Sequence, residues 1–190
     1  YLSLALAPYV RQITAIDQSE SAIAVLRENC TAQRIGNICA QCERIENVTV
    51  HAPFDAMIFC LYGQLGEILD ISRRMCRGNI LIVKRNEPYH HFSAGMVRKK
   101  ADGYAGAAER LRAMGVPFEE KEMTLSLNQP FRNMEDARRF FRLYSQDKNK
   151  RAAAEDYLRN RLRETDDPAF PLELPMQRNL ALITLNVNSL

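Results

Sequence analysis

The first half of the chain alternates between short apolar runs and segments whose apolar residues recur at helical spacing. The pattern predicts helices over 1–9, 19–33 and 63–75, and strands over 11–17, 37–42, 54–61 and 79–85. The last two strand segments, FDAMIFCL and NILIVKR, are almost continuously apolar, which is typical of strands buried on both faces. Strands and helices that alternate in this way favour a doubly wound α/β fold with a mostly parallel sheet.

The second half is less regular. Its pattern predicts helices over 93–114, 133–145 and 151–163, a weakly alternating strand over 118–127, and a last strand over 180–187. A helical insertion, 128–179, therefore separates two late strands, and we expect it to act as a lid within one domain that spans 1–190.

Composition narrows the functional classes. The 190 residues are 46% hydrophobic and 26% charged, as in soluble globular proteins. No apolar run reaches the roughly 20 residues that span a bilayer, and the first ten residues lack the basic flank of a signal peptide, so no membrane partner is expected. Five cysteines in mostly apolar segments indicate reduced thiols and a cytoplasmic location. The net charge of +3 is too small to indicate nucleic-acid binding by itself.

One stretch, Arg11–Leu26, links a strand to a helix through a carboxylate. The predicted strand ends in Asp17, and Ser19 is placed to cap the helix that follows. A carboxylate at a strand end can accept hydrogen bonds from both hydroxyls of a ribose. The alternative is that Asp17 only stabilises the turn.

The order of elements and motifs resembles the class I S-adenosylmethionine-dependent methyltransferases over essentially the whole chain, most clearly over 1–85. The segments that carry the resemblance are AIDQS, PFDAMIFCLYG and GNILIVKRN. The resemblance implies a Rossmann-like methyltransferase sheet and a bound S-adenosyl-L-methionine that donates the methyl group.

The same resemblance implies roles for individual residues. Asp17 holds the ribose and Gln18 packs on the adenine. At the end of the next strand either Cys42 or Glu43 faces the adenine amino group, and Glu43 is favoured because its carboxylate accepts hydrogen bonds. The end of the following strand borders the methyl donor, at Cys60 and Leu61.

Two family features are not found among these residues. The glycine-rich loop is absent, although YLSLALAPYV matches the helix that follows it, so we expect a strand and a glycine-rich turn upstream of Tyr1. CLYG stands where an N-P-P-Y sequence would mark the enzymes that methylate amino groups of adenine or glutamine.

The acceptor is expected beyond the carboxyl ends of the two apolar strands. The residues there with suitable polar groups are Tyr62, Gln64, Asn86, Glu87 and Tyr89, followed by His90 and His91. A base near neutral pH suits methylation of oxygen or nitrogen, and histidine is the natural choice, which makes His90 and His91 catalytic candidates. Tyr62 is the third catalytic candidate. The alternative is a polar surface loop, and positioning alone supplies much of the catalysis of a methyl transfer.

Two other patterns are weaker. Cys39 and Cys42 have the spacing of half a zinc site, but no second pair is present, so buried thiols and no metal are expected. Residues 132–163 hold ten Arg or Lys and five acids, which favours either a solvated helix face or contact with RNA or an acidic substrate.

The preferred hypothesis is methyl transfer to a small-molecule acceptor. RNA methylation and a non-catalytic subunit that binds an adenosyl cofactor are the alternatives, and a nicotinamide dehydrogenase fits the motifs less well. The pattern leaves the oligomeric state open.

Overall fold

The computed structural model describes residues 2–86, 103–144 and 158–190. The chain divides into two compact units, Tyr1–Pro53 and Phe54–Leu190, which are described separately. The assignment of a single domain over 1–190 stays a prediction.

The first unit is a βαβ arrangement. Strand β1 (Ile13–Asp17) pairs in parallel with β2 (Ile38–Cys42), and helix α2 (Glu20–Ala32) connects them. The predicted cap is confirmed, because the Ser19 hydroxyl accepts a hydrogen bond from the backbone N–H of Ala22. A short helix α1 (Leu2–Leu6) and a 3-10 turn (Ala7–Tyr9) precede β1. The Asn37 side chain ties this turn to β2 by donating to the carbonyl of Ala7 at 2.8 Å.

The second unit is built on a four-stranded sheet. Its strands are β3 (Phe54–Cys60), β4 (Cys76–Arg85), β5 (Glu119–Ser126) and β9 (Gln177–Asn186), in the order β3-β4-β9-β5. The strands β3 and β4 are parallel, and β9 runs antiparallel to both of its neighbours. Three of the four strands therefore share one direction, and the predicted mostly parallel α/β sheet is confirmed.

Two helices of the second unit each bury apolar side chains. Helix α3 (Leu65–Met75) connects β3 to β4 and buries Leu65, Ile68, Leu69 and Met75, which recur at intervals of three or four residues. Helix α4 (Tyr104–Ala113) precedes β5 and buries Ala107, Ala108 and Leu111. The predicted helix over 93–114 thus has its last part in α4, and residues 93–102 lie outside the described residues.

The prediction that β3 is buried on both faces was wrong. Of its residues only Phe59 is buried, and Ile58 is 38% exposed. Within the described sheet β3 is the outer strand, so it gains cover from β4 on one side and from α3 on one face. In β4, by contrast, Ile80 and Ile82 are fully buried, and Leu81 between them is half-buried.

The insertion 128–179 contains strands as well as the predicted helix. Helix α5 (Met134–Tyr144) packs with a small antiparallel sheet of β6 (Gln129–Phe131), β7 (Arg163–Glu164) and β8 (Leu172–Leu174). Its core consists of Phe131, Ala137, Phe141, Leu158 and Leu174. The prediction of a helix continuing to 163 was wrong, because the helical residues 158–161 end before β7. Among the described helices none is long and apolar enough to cross a membrane.

Candidate functional site

The ends of β1 and β2 bring the predicted adenosine-binding residues together. Asp17 lies opposite Cys42 in the parallel register, and the backbone N–H of Glu43 donates to the carbonyl of Asp17 at 3.1 Å. Gln18 belongs to the same edge, since the thiol of Cys42 lies 3.8 Å from its carbonyl oxygen. Parallel pairing therefore brings two acidic residues, Asp17 and Glu43, to adjacent strand ends at the carboxyl edge of this unit.

Asp17 is exposed and only partly engaged. Its Oδ1 accepts a hydrogen bond from the backbone N–H of Ser19 at 2.8 Å, which closes the turn into α2. Its other oxygen, Oδ2, makes no hydrogen bond with the described residues. The side chain thus stabilises the turn and still offers an acceptor oxygen, so the turn interpretation and the ribose interpretation are compatible.

Glu43 is held by its own following turn. Its Oε1 accepts hydrogen bonds from the backbone N–H of Arg44 at 2.8 Å and from the Asn47 side chain at 2.9 Å. The Asn47 hydrogen bond, followed by that of Arg44, lowers the pKa of the Glu43 carboxyl below its ordinary value. Glu43 is therefore an ionised, oriented acceptor at neutral pH, as a partner for an amino group requires.

In the second unit the chain turns sharply after β3. Cys60 is exposed, and the N–H of Leu61 donates to the carbonyl of Val83 at 3.0 Å, which extends the pairing with β4 by one residue. Leu61 has a φ of 55° and Gly63 a φ of 44°, both in the left-handed region. That conformation is costly for leucine, so other contacts must hold the turn.

A buried lysine that the sequence interpretation missed supplies those contacts. Lys84 is 5% exposed, and its Nζ donates to the carbonyl of Tyr62 at 2.9 Å and to that of Gly63. The sequence contained a signal for this burial. In a strand every second residue lies on the same face, so Lys84 shares a face with the apolar residues Ile80 and Ile82. A cation on the buried face of a strand needs polar partners, and the turn carbonyls provide them.

The other acceptor candidates in this turn have structural partners. The Tyr62 hydroxyl donates to Oε1 of Glu67 at 2.7 Å. Gln64 caps α3, and its backbone N–H donates to Oε2 of Glu67 at 3.3 Å in a reciprocal capping box. Glu67 therefore fixes both the Tyr62 ring and the start of α3.

Asn86, at the end of β4, lies on the same edge of the sheet. Its backbone N–H donates to the carbonyl of Asn179 at 2.8 Å, and the Asn179 side chain accepts from the Thr124 hydroxyl at 2.8 Å. Four predicted site residues, Glu87, Tyr89, His90 and His91, lie outside the described residues. Of the three catalytic candidates, the structure thus places Tyr62.

The burial of two cysteines differs from expectation. All five are free, Cys39 and Cys42 are exposed, and Cys76 is buried. The prediction that Cys39 and Cys42 are buried thiols was wrong, because both side chains are exposed on β2. In the part of the chain that the structure describes, no group of three or more His, Cys, Asp or Glu is arranged to hold a metal ion.

The chain was compared with protein-family models, curated protein sequences and solved structures, and only the solved structures gave matches. No family model and no curated protein sequence matches the chain. A candidate methyltransferase from Bacillus halodurans is similar in structure, with a TM-score of 0.58, 11% identity, and coverage of 98% of this chain and 87% of that one.

Two further solved structures agree with that likeness. The YcgJ protein from Bacillus subtilis has a TM-score of 0.54 and 10% identity, with 95% of this chain and 86% of that one covered. A structure described for the conversion of a disulfide bond into a thioacetal group during echinomycin biosynthesis has a TM-score of 0.54 and 15% identity, with 98% of this chain and 71% of that one covered. At these identities the likeness shows the fold, and the chain therefore has the Rossmann-like α/β fold of the methyltransferases.

Proposed function

We propose that the protein transfers a methyl group from S-adenosyl-L-methionine to a small-molecule acceptor. The observation that carries the proposal is the pair of carboxylates, Asp17 and Glu43, at adjacent strand ends of a chain with a methyltransferase-like fold. Ligands of open α/β sheets bind at the carboxyl ends of the strands, where these two side chains lie.

The available groups suit the adenosyl part of this cofactor. The exposed carboxylate of Asp17 can accept from ribose hydroxyls, and the ionised Glu43 can accept from the adenine amino group. Gln18 and Cys42 complete the same edge of the first unit. In the second unit, Cys60 and Leu61 stay the predicted neighbours of the methyl donor.

Bound S-adenosyl-L-methionine supplies an electrophilic methyl group, so the protein mainly has to orient the acceptor. The turn after β3 is suited to this task because Lys84 and Glu67 hold it from two sides. Tyr62 is the proposed catalytic residue of this turn, and Gln64 and Asn86 are the proposed acceptor contacts at the strand ends. The insertion 128–179 is proposed as the cover that excludes water from the acceptor.

Local ion pairs on α5 and just before it favour a small acceptor over RNA. Arg132 pairs with Asp136 at 2.6 Å, and Glu135 pairs with both Arg138 and Arg142. Each arginine that is paired with a neighbouring carboxylate adds less net positive charge to this surface, and nucleic-acid binding depends on net positive charge. The five free cysteines support a cytoplasmic location as part of the same proposal.

Calorimetric titration of the full-length protein with S-adenosylmethionine, S-adenosylhomocysteine and NAD tests the proposal. We expect saturable binding of the first two and none of NAD. A protein that binds NAD alone would be a dehydrogenase instead. Incubation of the protein with methyl-labelled S-adenosylmethionine and either the small-molecule or the RNA fraction of a cell extract then separates the remaining alternatives. Label in the small-molecule fraction supports the proposal. Label in RNA would show that the acceptor is RNA instead. Cofactor binding without any methyl transfer would indicate a non-catalytic subunit.

A further inference from the structure

A groove opens where the four-stranded sheet meets the insertion. Its volume is about 550 Å³, and its lining includes Ser126, Asn128, Arg161, Arg163, Met176 and Gln177. None of these residues was singled out by the sequence as part of a site, apart from the two arginines, which belong to the basic stretch 132–163.

The groove lies at the sheet edge where the acceptor is expected. Ser126 and Gln177 form the last register pair between β5 and β9, at the carboxyl end of β5. Two residues further along β9, Asn179 accepts the backbone hydrogen bond of Asn86 at the carboxyl end of β4. Because β9 separates β4 from β5, two strand spacings of about 4.8 Å place the groove roughly 10 Å from the end of β4 along this edge.

One wall of the groove is fixed by hydrogen bonds. The Asn128 side chain accepts from the backbone N–H of Met176 at 3.2 Å and donates to the carboxylate of Glu173 at 2.9 Å. Glu173 stands opposite Arg163 in the β7–β8 register, yet Arg163 forms no ion pair within 4 Å with the described residues. The guanidinium of Arg163 is therefore exposed at the groove, and the Glu173 carboxylate opposite it in the register accepts a hydrogen bond from Asn128.

Two arginines in one groove are suited to a particular ligand chemistry. A guanidinium stays charged at every physiological pH, and its planar set of donors matches the paired oxygens of a carboxylate or a phosphate. The amide of Gln177 and the hydroxyl of Ser126 add neutral donors beside them.

We infer that this groove binds a carboxylate or phosphate group and that the methyl acceptor is therefore a small anionic molecule. The second half of this statement rests on the proposed function, whereas anion binding in the groove does not. An acceptor anchored in the groove by its charged end presents a more distant atom toward the ends of β4 and β3.

The groove can be tested without the methyl donor. Titration of the full-length protein with inorganic phosphate and with succinate at low ionic strength is followed by nitrogen-15 NMR, which reports on the side-chain amides of Asn128 and Gln177. We expect saturable shifts at these amides with at least one of the two anions, and the anion that binds identifies the charged group. Absence of any saturable shift at the groove would overturn the inference.

Variants locate the effect. Arg163→Gln and Arg161→Gln should each weaken binding of the probe anion about fivefold or more, whereas Arg159→Gln, which removes the same charge from an exposed position that does not line the groove, should leave it unchanged. Equal losses in all three variants would indicate diffuse attraction and contradict a groove site. Single-stranded RNA is tested in the same way. If it binds more tightly than either anion, and if all three variants weaken its binding equally, the inference is wrong and this surface binds nucleic acid instead. Groove binding that persists in a protein unable to bind S-adenosylmethionine would leave the anion site standing while the proposed function fails.

Discussion

Replacement of Lys84 by methionine should loosen the turn after β3. The change removes an ammonium that is 5% exposed and donates to the carbonyls of Tyr62 and Gly63, while methionine fills a similar volume. Hydrogen bonds to a charged group contribute about 1.5–3 kcal/mol each. The loss is partly offset because the buried charge no longer has to be desolvated. We therefore expect the free energy of unfolding to fall by about 1.5–3 kcal/mol.

The Lys84→Met change should destabilise the turn at residues 61–64 more than it lowers the free energy of global unfolding. Leu61 holds a left-handed conformation whose strain is about 1–3 kcal/mol, and the contacts of Lys84 help to maintain it. Urea unfolding measures the free energy, and hydrogen exchange at residues 61–64 measures the opening of the turn. Lys121→Met is the matched control, since Lys121 is exposed on β5. Unchanged stability together with unchanged exchange at 61–64 in Lys84→Met would refute the assigned role of this lysine.

Three further predictions concern other parts of the fold. Tyr104→Phe removes a hydrogen bond to Glu120 and should cost about 1 kcal/mol at neutral pH. That bond raises the pKa of Tyr104 in the folded protein. Its contribution to stability is therefore present at pH values below the ordinary phenol pKa and is lost as the pH rises through the higher pKa of the folded state. The unfolding free energies of parent and variant should then converge in urea titrations at alkaline pH. Gly78→Ala should destabilise the β3–β4 pair, since an added Cβ would lie 2.1 Å from the carbonyl oxygen of Asp55; a melting temperature equal to that of the parent would contradict the close approach. In a third variant, an Asn-Gly turn replaces the insertion and joins Ser126 to Gln177, which are paired in the sheet. This variant should lose methyl transfer, while its affinity for S-adenosylhomocysteine should stay within about tenfold of the parent, roughly 1.4 kcal/mol. Methyl transfer at the parental rate would show that the insertion is not a cover.

The elements that sequence predicted well have strong local signals. Helices α2 and α3 were found to within two residues because their apolar residues repeat at helical spacing and because Ser19 caps α2. The adjacency of Asp17 and Glu43 followed from parallel pairing of the strands that they end. These features depend on residues that are close in sequence or on one simple rule of topology.

The features that sequence missed depend on distant partners. Strands β7 and β8 are two and three residues long and are defined by pairing within the insertion, so no periodicity marks them. The exposure of β3 follows from its place at the outside of the described sheet, which its apolar composition does not reveal. Lys84 was recognisable by its position on the buried face of β4, but the partners of its ammonium come from a turn about twenty residues earlier, at Tyr62 and Gly63.

The most direct test of the central claim is the affinity for S-adenosylhomocysteine of Asp17 variants. Asp17→Ala removes the ribose acceptor and the turn contact, whereas Asp17→Asn keeps an oxygen for the N–H of Ser19 and loses the charge. Asp70→Ala is the control, because Asp70 is an exposed carboxylate that pairs with Arg73 on α3. Loss of hydrogen bonds to a charged acceptor at an exposed site should total about 2 kcal/mol, roughly thirtyfold in affinity.

Calorimetry on folded variants gives the answer. We expect Asp17→Ala to weaken binding about thirtyfold, Asp17→Asn to weaken it less, and Asp70→Ala to leave it unchanged. Equal affinity of the parent and Asp17→Ala, with both proteins folded, would contradict the account and would leave Asp17 a turn residue alone.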